Sequence, residues 1–162
     1  MDNKPFIIEI VQKKNETMKD VESRIYAFNT AVPFQKSLEE MKGIIKKLGG
    51  EGFQYTEHPN SAKYVRFLIH DRFTKQKIPI QIDIPIITIK TLHGRKELER
   101  AGIRLAILDL KTKLYKLDGT NLNPTFVLAE NILTKSGMPI NRFLTEEGST
   151  NIAGLLPEST ED

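Results

Sequence analysis

Apolar and polar positions alternate with two different periods along this chain. Phe34, Leu38, Met41, Ile45 and Leu48 recur at spacings of four, three, four and three. That places them on one face of a helix, with Ile44 beside them. Ser37 and Glu40 have capping-box spacing at its start, Lys46 and Lys47 complement the dipole in its last turn, and Gly49-Gly50 ends it. The period then drops to two. After a short strand at 52–57, residues 63–70 set Val65, Phe67 and Ile69 against Tyr64, Arg66, Leu68 and His70. Residues 71–76 read as a hairpin connection. Residues 77–84 set Ile78, Ile80, Ile82 and Ile84 against Lys77, Pro79, Gln81 and Asp83. Pro79 cannot donate a ladder hydrogen bond, so this strand is expected at a sheet edge.

Flanking segments complete the expected elements. Residues 6–12 read as a strand with Phe6, Ile8 and Ile10 on one face, adding to the sheet edge or pairing with a neighbouring chain. Residues 13–23 read as a loop or one or two helical turns around Met18 and Val21, and residues 24–30 as a second strand. A long helix is expected over 95–117, apolar on two stripes. Ile103, Ile107, Leu110, Leu114 and Leu117 form one; Leu98, Ala101, Leu105, Leu108 and Tyr115 lie on or near the other. The first should cover the isoleucine face of the sheet, and the second needs another partner, the C-terminal helix or a second copy. Gly119 ends it. Asn123 as cap and Pro124 at the first position start a shorter helix to about residue 134, and residues 138–144 add a turn. The fold expected is α+β: an α-β-β-β-α core, an antiparallel sheet of four to five strands and one long helix packed on one sheet face. Residues 1–144 form one domain, with 1–23 as an N-terminal extension, and the Ser-, Thr-, Gly- and Glu-rich segment 145–162 reads as a disordered acidic tail.

Charge changes this picture more than composition does. The formal net charge is +3, yet residues 145–162 hold five acids and no Lys or Arg, so residues 1–144 carry +8. A basic body with an acidic tail points to a polyanionic partner. The chain has no cysteine, which removes disulfides, thiolate metal sites and cysteine nucleophiles and fits a reducing compartment. No signal-type leader or bilayer-length apolar run is read. The chain is expected to be soluble and cytoplasmic, with no membrane partner.

The segment Val32-Pro33, Lys36-Ser37, Glu40 and Leu48-Gly49, the alternating strand ending Ile84-Pro85, and Arg104-Leu105-Ala106-Ile107-Leu108 followed by Lys111 and Leu114 together resemble a family of small phage and prophage proteins. The resemblance covers roughly residues 31–144. Ile103 stands where that family commonly has a tryptophan. The resemblance implies a phage or mobile-element setting, hence a host's cytoplasm, and no named reaction. The order helix, three antiparallel strands, helix also resembles the double-stranded-RNA-binding domain. There a basic cluster opens the second helix and contacts phosphates, and Gly94-Arg95-Lys96 with Arg100 and Arg104 occupies the comparable place. Glu97 and Glu99 interrupt that cluster.

The candidate site is the basic start of the long helix. His93, Arg95, Lys96, Arg100 and Arg104 would combine side-chain donors with the free N–H groups and dipole of a helix N-terminus. Tyr64, Arg66 and His70 would join them as a stacking surface for unpaired bases. The tail, with Ile152, Leu155 and Leu156, would compete for the basic surface or dock a phage or host protein. Catalysis is not expected. His58, His70 and His93 lack metal-ligand spacing. Asp109-Leu110-Lys111 with Asp83 has the look of a nuclease element but falls in a helix pattern, and no phosphate loop or nucleophile elbow occurs. No cofactor or metal is expected. The function expected is a non-catalytic, sequence-neutral nucleic-acid-binding accessory protein for DNA or RNA, working as a homo-oligomer. The alternative is a protein-interaction module that inhibits or redirects a host protein through the edge strand 77–84, the tail or the second stripe of the long helix.

Overall fold

A computed structural model describes residues 4–142. Six strands and four helices follow in the order β1 (Ile7–Val11), α1 (Met18–Ser23), α2 (Phe34–Lys47), β2 (Glu51–Glu57), β3 (Lys63–His70), β4 (Lys77–Ile84), β5 (Ile86–Thr91), β6 (Gly94–Leu98), α3 (Glu99–Leu117) and α4 (Pro124–Val127), with a 3₁₀ turn at Ala129–Asn131. The class is α+β, but the strands do not form one antiparallel sheet of four to five. They form two three-stranded sheets, β2-β3-β4 and β1-β5-β6. The first is antiparallel. The second is mixed, with β1 parallel and β6 antiparallel to β5. The chain changes sheet at Pro85, which interrupts an otherwise continuous run of branched residues. α3 crosses at that point: a Cβ on Gly102 would lie 1.9 Å from the Pro85 carbonyl oxygen. Only glycine allows the approach.

α2 and α3 pack together and against the first sheet. Met41, Ile45 and Leu48 meet Val65, Phe67, Ile69, the β4 isoleucines and Ile103, Ile107 and Leu110 in one cluster. β4 is the terminal strand of its sheet, as Pro79 requires. Its free side is not open, however. Ile132 bridges Ile80, and the Leu133 N–H donates to the Pro79 carbonyl at 2.9 Å. The free side of β4 is therefore covered at Pro79 and Ile80.

A second, smaller cluster lies under the mixed sheet. Ile8, Ile10, Ile87 and Ile89 point inward onto Val21, Ile25, Phe28, Ala101 and Leu105. Thr17 caps α1 in a reciprocal box with Asp20. The strand expected at 24–30 is absent. Successive turns carry the chain there, with N–H donors of Ile25, Phe28 and Thr30 reaching the carbonyls three residues back and Ala27 at φ +55°. The apolar residues Val21, Ile25 and Phe28 recur every three to four positions, so the winding turns carry α1's buried face onward, whereas a strand would split it.

Three other expectations are corrected. Ser37 and Glu40 do not cap α2: the helix starts one turn earlier, behind Pro33, because Phe34 packs on Tyr55 with ring centroids 5.8 Å apart. Ser37 is wholly buried inside the helix. The long helix starts at Glu99, not 95, and its second stripe divides. Ala101 and Leu105 meet the mixed sheet, while Leu108 and Tyr115 are exposed. The helix capped by Asn123 lasts four residues and gives way to the 3₁₀ turn. The acidic tail lies outside the described residues.

Candidate nucleic-acid interface

Residues 90–95 make a tight hairpin. The Thr91 hydroxyl donates to the Gly94 carbonyl at 2.9 Å and accepts from the His93 N–H at 3.2 Å. The antiparallel register sets Lys90 opposite Arg95 and Ile89 opposite Lys96. Cross-strand partners share a face, so Lys90 and Arg95 point outward, away from the isoleucine cluster. Lys96 belongs to the inner side, its ammonium 5.7 Å from the Phe28 ring centroid. The parallel pairing places Val11 beside Lys90. Gln12 ties the two segments together: its N–H donates to the Lys90 carbonyl at 3.0 Å, and its side-chain oxygen accepts from the Leu92 N–H at 3.4 Å. The exposed turn bearing Lys13 and Lys14 thereby joins the same end of the sheet. Lys13, Lys14, Lys90, His93 and Arg95 form one basic end built from two distant segments. Glu9 lies 3.3 Å from Arg95, and Glu16 lies 2.9 Å from Arg24.

His93, Arg95 and Lys96 therefore lie on a β-hairpin and not at a helix N-terminus, and the dipole argument for them fails. The start of α3 is instead acidic: Glu99 receives the buried Lys63 ammonium at 2.9 Å. Arg100 is exposed on the first turn. Arg104 is turned away, bonded to Glu40. That hydrogen bond, helped by Lys111, holds the Glu40 carboxyl below the usual carboxylate range.

The expected stacking surface is not assembled. Tyr64 is buried, its hydroxyl 3.0 Å from His58 Nε2. The Arg66 guanidinium covers the Tyr64 ring at 4.8 Å, and its Nε donates to Gln81 at 2.8 Å. His70 and Lys77 share Glu51, at 3.3 and 2.8 Å. These side chains satisfy one another across β2, β3 and β4.

Asp83 and Asp109, the acids of the nuclease-like pattern, both line a hollow of about 280 Å³ beside Pro85. Asp109 is engaged by Lys113 at 2.8 Å, Asp83 by Gln81 at 3.0 Å, and Lys111 points to Glu40 at 2.8 Å. Among the described residues no group of three His, Cys, Asp or Glu side chains is placed to hold a metal ion, and no helix is long and apolar enough to cross a membrane.

Lys13, Lys14 and Lys90 were not singled out by sequence reasoning. The hairpin was readable: alternating Ile87 and Ile89 run into Thr91-Leu92-His93-Gly94, a turn with glycine at its end. The parallel contact between residues 11 and 90 has no local signal. Comparison with family models, curated proteins and solved structures finds no match.

Proposed function

We propose that this chain is a non-catalytic nucleic-acid-binding accessory protein that grips phosphates without sequence preference at the basic end of its mixed sheet. The observation that carries this reading is the convergence of Lys13, Lys14, Lys90, His93 and Arg95 on one exposed end, where Glu9 meets Arg95 and Glu16 accepts from the Lys13 N–H. Lysines and arginines gathered this way release counterions when they meet a polyanion, which makes binding strongly salt-dependent. The phage or mobile-element setting follows from the family resemblance, and the acidic tail would compete for the same cations.

Labelled single- and double-stranded DNA and RNA titrated by fluorescence anisotropy at several salt concentrations test it. The full chain should bind tightly at low salt and lose affinity steeply as salt rises. Lys13→Glu, Lys14→Glu and Lys90→Glu together should reduce the slope of log K against log salt by about 2 to 3, close to one unit per lost contact. Absence of binding to all four at low salt would overturn the reading. The rival, a module that binds a host protein, has one observation in its favour: Ile7 and Val11 on edge strand β1 are more than half exposed. Such an interface would hold at moderate salt.

A further inference from the structure

Phe73 and Phe126 are 85% and 71% exposed. They belong to segments fifty residues apart, the β3–β4 turn and α4, and one buried carboxylate clamps those segments together. Asp71 accepts from the Thr74 N–H at 2.7 Å and hydroxyl at 2.8 Å within the turn. It also accepts from the Thr125 hydroxyl at 2.9 Å and from the Asn123 amide. Asn123 returns a contact, its side-chain oxygen accepting from the Arg72 N–H at 3.4 Å. The residues just beyond these anchors are Phe73 and Phe126, and neither ring belongs to a buried cluster. Isolated exposed apolar residues are ordinary; two rings presented from two segments locked to one carboxylate are a built feature. Arg72 and Lys75 flank Phe73, both exposed and without an ion-pair partner among the described residues.

Exposed rings interleaved with Arg and Lys match one ligand chemistry well. A base has an apolar face that stacks on a ring, and the phosphate beside it meets a cation. A duplex hides its base faces, so only unpaired bases can use the rings. We propose that this end of the molecule, Arg72, Phe73, Lys75 and Phe126, is a stacking site for unpaired bases of a single-stranded nucleic acid. The inference rests on the nucleic-acid reading above and narrows it to single strands. It replaces the Tyr64, Arg66 and His70 surface, whose Tyr64 ring is buried with Arg66 over it. The two contact regions lie at the two ends of the extended run from Lys77 to Thr91, so phosphate gripping and base stacking are separable by mutation.

The test uses the full chain, a labelled oligothymidine and a labelled duplex. Phe73→Ala and Phe126→Ala remove rings that are mostly in water, so the thermal midpoint should hold, and circular dichroism checks this. Each change should weaken oligothymidine binding about ten-fold, and the pair about a hundred-fold. Duplex affinity should change less than about two-fold, and the salt slope should stay as it was, because no cation is lost. Unchanged oligothymidine affinity in the double variant overturns the stacking site and leaves the basic end standing. Equal loss on single strand and duplex also overturns it. A double variant that shifts sedimentation mass while binding oligothymidine normally assigns the rings to a protein contact instead. If the full chain binds neither probe at low salt, the nucleic-acid reading itself falls, and the stacking site with it.

Discussion

The two hydrophobic clusters differ in how far the chain must travel to build them. The cluster under α2 and α3 holds seventeen buried residues among those described, most of them from the continuous stretch 38–84. The cluster under the mixed sheet holds five, and its sheet closes only when Ile7 pairs with Ile86, across nearly eighty residues. The β2–β3 and β3–β4 hairpins close short loops and give α2 and α3 a sheet to pack on. The parallel pairing closes a long one and has less buried surface to offset that entropy. The smaller cluster should therefore open first, below the global unfolding free energy, and it carries the basic end.

Paired truncations break or sharpen this comparison. Ile80 and Ile89 are both fully buried, one in each cluster. Ile80→Ala should cost about 4 kcal/mol, near the top of the range for such cavities. Ile89→Ala should cost about 2 to 3 kcal/mol, because a five-residue cluster can relax into the space. Urea unfolding measures both. Equal costs with a single unchanged transition would mean the clusters form one cooperative unit.

Gly102 sits between the two regions and tests their coupling. A methyl group there meets Pro85 backbone, which cannot move without disturbing the junction of β4 and β5. Gly102→Ala should destabilise by about 3 kcal/mol, at the upper end of overpacking effects. Its damage should appear in hydrogen exchange of both sheets. Loss of protection confined to β5 and β6 would show that α3 yields toward the weaker side only.

The clamp at Asp71 makes the stronger region pH-dependent. Hydrogen bonds from the Thr74 backbone first, then from Asn123 and the Thr74 hydroxyl, hold its carboxyl well below the usual carboxylate range. A depressed folded-state value adds stability that is present above about pH 4, the unfolded value, and is lost as pH falls through the lower folded one. Asp71→Asn should lower the thermal midpoint at neutral pH, and the gap to wild type should narrow as the solution is acidified below about pH 4. A gap independent of pH down to the acid transition would show that the geometry of the clamp matters and its charge does not.

What could be read from the sequence follows the same division. Strands 63–70 and 77–84 are found at their expected limits, because a strict period of two, with Val65, Phe67, Ile69 and the β4 isoleucines on one face, admits a single register. The α2 face was equally clear. The readings failed where segments distant in sequence decide the outcome. Residues 24–30 are rich in strand formers, yet they turn because their apolar positions extend α1's buried face. Residues 95–98 were assigned to the long helix because Leu98 and Ala101 fit its stripe, whereas the β5 edge recruits them as a strand. The site suffered most. Arg66, Arg104 and His70 look like free cations in the sequence, and each meets a partner from an element 15 or more positions away. Lys13 and Lys90 look unrelated and lie at one end of a sheet.

The smallest expected effect on stability separates the two roles of the weaker region. Glu9 and Arg95 lie 3.3 Å apart on the outer face of the mixed sheet, with side chains 34% and 67% exposed. Exposed pairs of this kind contribute little, so Glu9→Gln should change unfolding free energy by about 0.3 kcal/mol. Its effect on binding should be larger and of opposite sign. Removing the carboxylate frees Arg95 for phosphate and removes a like charge from the approaching polyanion. Affinity at low salt should therefore rise a few-fold, and the salt slope should steepen by up to about one unit. A variant equally stable and equally weak would place phosphate contact away from Arg95, and would leave Lys13, Lys14 and Lys90 to carry the basic end alone.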